Sequence, residues 1–227
     1  MLTDTKTLSP KPIQSSQGKM GRVADFYVDD RIWRIPYLVM ETDSWLRGRL
    51  ALLAPVAFDP NAFASLDAFR VNLSKDQAEN CPPFDSFPAV PRSYLQRVQQ
   101  HYQWEDCSSD VDKGNTSIGG MDAPVQPSQL SGDESHVRTL KSFSGLRLHA
   151  SDGPIGRLVS MTMDTRTWEI AELVIEIGHW LSVKRIPILP DSVNRIDYDD
   201  ATIHVTLTKD EIRETRDTDV AQHAVVF

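Results

Sequence analysis

Cysteine is scarce: Cys81 and Cys107 are the two in 227 residues. That excludes a scaffold stapled by several disulfides and a four-cysteine zinc site. Long apolar runs are missing too. No window approaches the roughly 18 to 20 apolar residues that a membrane-spanning helix needs. The opening MLTDTKTLSPKPIQSSQGK has no apolar stretch of the kind a signal peptide carries. A reducing, cytoplasmic location and no transmembrane segment are therefore expected. Basic charge is also short. Lys and Arg number 24 against 32 Asp and Glu, a formal net charge of −8. Nucleic-acid binders carry a basic face, so no direct nucleic-acid partner is expected.

The motifs of chemistry are equally thin. The six histidines are His101, His136, His149, His179, His204 and His223. No two stand four residues apart on a helix pattern, and none accompanies a cysteine cluster. The stretch DVDKGNTSIGGMD (110–122) places Asp110 and Asp112 as a calcium loop would. It has Asn115 where that loop needs glycine and Met121 where it needs glutamate. GKMG and GPIG lack the spacing and following helix of a nucleotide loop, and no Gly-x-Ser-x-Gly elbow occurs. No catalytic residue, metal ligand or cofactor is assigned, and the chain is read as non-enzymatic. Asp25, Asp29 and Asp30, with Arg22, Arg31 and Arg34, read as a solvated charged face.

What the chain does contain is itself, twice. Residues 18–55 align with 153–190 at a constant offset without a gap. The identities are Gly18/Gly153, Gly21/Gly156, Arg22/Arg157, Asp29/Asp164, Arg31/Arg166, Trp33/Trp168, Ile35/Ile170, Leu38/Leu173, Val39/Val174, Glu41/Glu176, Trp45/Trp180, Leu46/Leu181 and Pro55/Pro190. The match resumes at VNLSKDQ (71–77) against VTLTKDE (205–211), one residue out of phase. A slip of one residue inside a loop is what a duplicated fold tolerates.

The second copy shows most clearly what one copy forms. LRLHA (146–150) alternates, and Asp152-Gly153 makes a hairpin turn. In IGRLVSMTMD the inward set is Ile155, Leu158, Met161 and Met163, and its single phase shift predicts a bulge near Val159. WEIAELVIEI and VKRIPIL continue as strands, the latter ending at Pro190. VNRIDYDDATIHVTL is a further hairpin, with Ile203, Val205 and Leu207 inward. Thr208 and Glu211 have the spacing of a capping box that opens a short helix. Five or six short strands joined by hairpins most easily bury their inward faces by curling into a small barrel. The glycines at 18, 21, 153 and 156 read as turn residues.

These residues resemble the PRC-barrel, a domain named after the cytoplasmic part of the photosynthetic reaction-centre H subunit. It is also found as the C-terminal domain of the ribosome maturation factor for the small subunit. The first copy matches at Gly18, Gly21, Asp25, Asp29, Tyr37-Leu38-Val39, Trp45-Leu46 and Gly48-Arg49. The second keeps Gly153, Gly156, Asp164, Leu173-Val174 and Trp180-Leu181 but departs at Ser160 and Val183. The layout is similar to bacterial tandem PRC-barrel proteins, which carry a counterpart of Pro82-Pro83-Phe84-Asp85. They also carry a counterpart of the segment from Pro88 through Tyr102-Gln103-Trp104. The resemblance implies a mainly β chain: a first barrel at 1–87, a helix near 91–104 with a linker to 135, and a second barrel at 136–227.

In PRSYLQRVQQHYQW (91–104), Tyr94, Leu95, Val98, His101 and Tyr102 form one apolar helix face. Residues 105–135 read as a flexible linker, and the first dozen residues as loose. For the tryptophans two readings fit, core and interface. The interface reading takes Trp33, Trp45, Leu46, Tyr94, Tyr102, Trp104, Trp168, Trp180 and Leu181 as contact residues toward an unidentified protein or a second copy of the chain. The function expected is a protein-interaction or scaffold module. Two alternatives follow from the resemblance: a ribosome-associated or RNA-processing factor, and a peripheral component of a photosynthetic or other membrane complex.

Overall fold

Strands form where the sequence alternates. A computed structural model describes residues 1–43, 46, 48–59, 68–84, 89–104, 136–179 and 182–215, and it is mainly β. In chain order the elements begin β1 (Leu2–Asp4), α1 (Thr5–Leu8), β2 (Pro12–Ser15), β3 (Gly18–Asp29), β4 (Arg34–Thr42) and β5 (Leu50–Leu53). Then come β6 (Phe69–Arg70), α2 (Lys75–Glu79), α3 (Arg92–Tyr102), β7 (Val137–Thr139), α4 (Leu140–Phe143) and β8 (Arg147–Ala150). Last are β9 (Gly153–Asp164), β10 (Glu169–His179), β11 (Ser182–Ile188), β12 (Val193–Asp197), β13 (Thr202–Val205) and α5 (Lys209–Glu214). Short 3-10 turns at Pro55–Ala57 and Pro190–Ser192 occupy the same place in both copies, each opened by its proline.

The chain divides into two compact units. The C-terminal unit comprises Met1–Lys11, Trp33–Ile35 and Leu140–Phe227; the N-terminal unit comprises Pro12–Ile32 and Pro36–Thr139.

In the C-terminal unit the sheet order is β11-β10-β9-β8-β13-β12, with β1 added to β9. All these ladders are antiparallel except the short parallel pair of β13 with β8. The predicted bulge is present. Val174 pairs with Ser160 and Ile175 with Leu158, which leaves Val159 as the extra residue. Leu158, Met161 and Met163 are buried as expected, whereas Ile155 is half-exposed. Thr208 and Glu211 form their capping box on α5.

The N-terminal unit has the order β6-β2-β3-β4-β5, with β7 on β3. Its core contains Ile13, Met20, Phe26, Leu38, Met40 and Leu52, all essentially inaccessible. The ladders stay open in both units. Among the described residues the outer strands β11 and β12 share no ladder, and on the β5 and β6 sides a lone bridge joins Phe58 to Val71.

The first residues are not loose. Asp4 caps α1 by accepting the Lys6 N–H at 2.8 Å, and the Thr5 hydroxyl donates to the Met161 carbonyl at 3.0 Å. Leu8 is fully buried, worth about 1.5–3 kcal/mol for a side chain of that size. The segment is polar because only Thr5 and Leu8 turn inward. In β1, Leu2 lies opposite Asp164; in β7, Val137 lies opposite Asp29. Leu2 and Val137 are the same position of the repeat, as are Asp29 and Asp164. Each unit therefore completes its long strand with the leading strand written before the other copy.

Candidate functional site

Among the described residues, the glycines and charged groups that recur in the two copies are occupied by the fold. A Cβ on Gly21 would lie 2.1 Å from the Glu41 carbonyl oxygen, and one on Gly156 would lie 2.3 Å from that of Glu176. Glycine is there because one backbone passes directly over another. Gly18 and Gly153 take positive φ at hairpin turns. Arg22 holds Glu41 with two N–H donors at 2.9 and 2.8 Å, and Arg157 holds Glu176 in the same way at 3.1 and 2.5 Å. Asp29 accepts the Arg31 N–H at 3.0 Å, and Asp164 accepts the Arg166 N–H at 2.8 Å, so each closes its turn by the same side-chain bond. The charged face expected around Asp25 and Asp29 needs correction. Both are buried, Asp25 accepting the N–H of Phe26 and Asp29 engaging Arg31. Asp29 is brought inward by its closed turn, and Asp25 by its place on β3.

The contact residues read from the sequence fall into four groups. Trp33 and Trp168 are each 8% exposed and hold left-handed φ of 51° and 61°. Leu46 is half-buried. Trp45, Trp180 and Leu181 lie outside the described residues. Tyr94, Tyr102 and Trp104 come together on or just beyond α3, in the N-terminal unit.

α3 is fastened to that unit through its apolar face. Tyr94, Val98 and Tyr102 are buried, and Leu95 and His101 are half-buried. The Tyr94 hydroxyl donates to the Pro82 carbonyl at 3.0 Å, and its ring meets Phe84 at 5.3 Å. Phe84 in turn packs edge-on to Tyr27 of β3 at 6.0 Å. Gln99 donates to the Tyr37 hydroxyl of β4 at 3.2 Å, and His101 Nε2 donates to the Gln77 carbonyl at 2.8 Å.

Tyr27 and Tyr37 explain why the helix docks on this copy. Their counterparts in the second copy are Thr162 and Glu172, polar and half-exposed. That exchange of tyrosine for polar residues is a signal in the sequence, although it emerges only from the differences between the copies. Beneath the helix lie Cys81 and Arg49. Arg49 donates to the carbonyl oxygens of Glu79 and Cys81. Burial pushes the Cys81 thiol up, against weaker opposing effects of the Tyr102 hydroxyl and Arg49. Burial likewise raises Tyr94 and Tyr102 well above the ordinary phenol range.

The outer face of α3 has a different character. Gln96, Gln99, Gln100, Gln103 and Trp104 line an open depression of about 610 Å³. Gln103 ends the helix in a left-handed conformation, and Trp104 then stacks on Tyr102 at 4.2 Å and 15°. Five neighbouring residues thus present amides and an indole, with no ionisable group among them. Such a surface makes neutral hydrogen bonds and flat apolar contact; it holds no nucleophile or general base.

Sequence reading missed one further cluster. His149 on β8 and His204 on β13 are direct register partners, with ring centroids 5.4 Å apart. Fifty-five residues separate them in the chain, so no local spacing could reveal the pair. Among the described residues no group of three or more His, Cys, Asp or Glu is placed to hold a metal ion. No helix of the described residues is long and apolar enough to cross a membrane. Comparison with protein-family models and with curated proteins finds no match for the chain.

Proposed function

We propose that this chain is a non-enzymatic, tandem PRC-type barrel protein that works as a protein-interaction or scaffold module. One observation carries the reading: among the described residues, the glycines and charged groups that survive in both copies are engaged in turns, ion pairs and close backbone approaches. Gly21/Gly156, Arg22–Glu41/Arg157–Glu176 and Asp29–Arg31/Asp164–Arg166 all do structural work. A duplication retained for its shape supplies surfaces rather than a reaction centre.

The surface most suited to a partner is the outward face of α3. Tyr94 and Tyr102 secure the helix while Gln96, Gln100, Gln103 and Trp104 face outward, a mixture of aromatic and amide groups typical of protein contacts. The open sheets are read as two small barrels on the strength of the hairpin order and the repeated glycines.

The test combines solution sizing with affinity capture, using the full chain and a Gln96→Glu/Gln100→Glu variant. Stoichiometric capture of a protein partner, or self-association, that the charged variant loses is the expected result. A strict monomer that captures nothing overturns the proposal. Co-sedimentation with small ribosomal subunits would favour the RNA-processing alternative, and flotation with vesicles the membrane-complex alternative.

A further inference from the structure

We propose that His204, set between Arg195 and His149, forms an acid-sensitive seam, which loosens the β12–β13 hairpin from β8 when its imidazole takes up a proton. The hairpin joins the rest of its sheet through one short parallel ladder, with single backbone bonds from Arg147 to Ala201 and from Ser151 to Leu207 beyond its ends. Its registered pairs are Thr202 with Arg147, Ile203 with Leu148, and His204 with His149. Parallel pairing is less stable per residue than antiparallel pairing, and this ladder is three residues long.

Charge is concentrated along that join. Arg195 of β12 stands opposite His204 and places Nη2 3.2 Å from its Nε2. Arginine can only donate, so Nε2 accepts and the imidazole is neutral in this arrangement. A proton on Nε2 abolishes the bond and sets imidazolium against guanidinium. On the other side His149 faces the same ring.

The other charged groups facing the pair are few. Arg147, two residues before His149 on β8, lies opposite Arg157 of β9 and donates to the Asp200 carbonyl. Asp197 of β12 is 3.6 Å from Arg195, and Asp200 stands in the β12–β13 turn. Burial, Arg195 and His149, in that order, hold the His204 imidazole below its ordinary value and outweigh Asp197 and Asp200.

The sign follows. A histidine that binds protons less readily in the folded seam than in the opened one favours opening as the pH falls. The seam is closed above the ordinary histidine range and weakens from about pH 6.5 downward. Ile203 and Val205, buried beneath the ladder, and Ile212 of α5 resist complete release. The expected response is local opening rather than unfolding.

Amide hydrogen exchange on the full chain at pH 7.5 and pH 5.0, corrected for intrinsic rates, tests this. Protection at Leu148, Ile203, His204 and Val205 should fall severalfold at the lower pH. Leu173 and Ile175 on β10 should keep theirs. His149→Gln should reduce the acid effect, and His204→Gln should remove most of it. Unchanged protection at the seam, equal loss on β10, or a full acid effect in His204→Gln would each overturn the proposal. If His204→Gln does not fold, the wild-type comparison and His149→Gln still decide it.

Discussion

The carbonyl of Trp33 accepts the Ile170 N–H at 2.7 Å, and the carbonyl of Trp168 accepts the Ile35 N–H at 2.8 Å. Trp33 and Trp168 are the same position in the two copies, as are Ile35 and Ile170, and Arg34 pairs with its own counterpart Glu169. The arrangement is reciprocal. Both tryptophans hold left-handed φ, which costs an ordinary residue about 1–2 kcal/mol. Burial of the indoles offsets that cost; Trp33 also lies 6.2 Å from Phe143.

A test follows from that balance. Trp168→Ala loses the burial and keeps the strain, so it should destabilise by about 3–5 kcal/mol. Trp168→Gly loses the same burial but relieves the strain. It should be the milder change by about 1 kcal/mol. Urea midpoints of the two variants check the order, which is the reverse of the usual preference for alanine over glycine within a strand.

Gly21 and Gly145 separate crowding from strain. Gly145 has φ of +82° but open space where a Cβ would stand, whereas a Cβ on Gly21 would meet backbone at 2.1 Å. Gly145→Ala should cost about 1 kcal/mol through φ alone. Gly21→Ala should cost about 3 kcal/mol, since the Glu41 carbonyl can move only with its whole strand. Chemical denaturation of both variants reads the difference directly. Equal losses would refute the close approach.

Local devices were legible in the sequence: the Asp152-Gly153 turn, the extra residue at Val159, the capping box of Thr208 and Glu211, and the apolar stripe of α3. Each depends on residues within a turn or two of one another. Long-range pairing was not legible. Leu2–Asp4 carries too little apolar alternation to announce a strand, and nothing nearby shows that it pairs 160 residues away, with Thr162–Asp164. The inward turn of Asp25 and Asp29 was hidden because carboxylates are normally solvated unless a partner meets them. The contact between His149 and His204 depends on a parallel ladder between strands separated in the chain by four others. The docking site of α3 could have been found by asking which positions differ between the copies, where Tyr27 and Tyr37 stand against Thr162 and Glu172.

Asp164 links the long strand to acid stability. Its carboxylate accepts the Arg166 N–H at 2.8 Å and the Met1 ammonium at 2.9 Å, with the Arg166 guanidinium at 3.3 Å. These bonds, the Arg166 N–H foremost, hold it well below the usual carboxylate range. A carboxyl depressed in the folded state contributes stability above its ordinary pKa, about 3.9, and loses it as the pH falls further. Asp164→Asn should therefore lower the urea midpoint at pH 7, and the gap to the parent should narrow steadily as the pH falls below about 4. The partners are largely solvated, so the gap should be modest and shrink in 1 M salt. Parallel curves at every pH would show that the carboxylate contributes nothing through its charge.

Cys81 reports whether α3 is seated. The thiol is 3% exposed beneath the helix, and burial disfavours the thiolate that alkylating reagents require. In a Cys107→Ser background, iodoacetamide at pH 8 should label Cys81 far more slowly than in denaturing urea, because the buried thiol is both shielded and disfavoured as thiolate. Tyr94→Ala removes the ring that meets Phe84 and the hydroxyl that reaches Pro82. It should raise the labelling rate severalfold while the far-ultraviolet signature of the sheets persists. Tyr94→Phe keeps the ring and loses one hydrogen bond, worth about 1 kcal/mol, so its rate should fall between the two. Identical rates in all three proteins would mean that α3 does not cover the thiol, and that its outer face is not held in place for a partner.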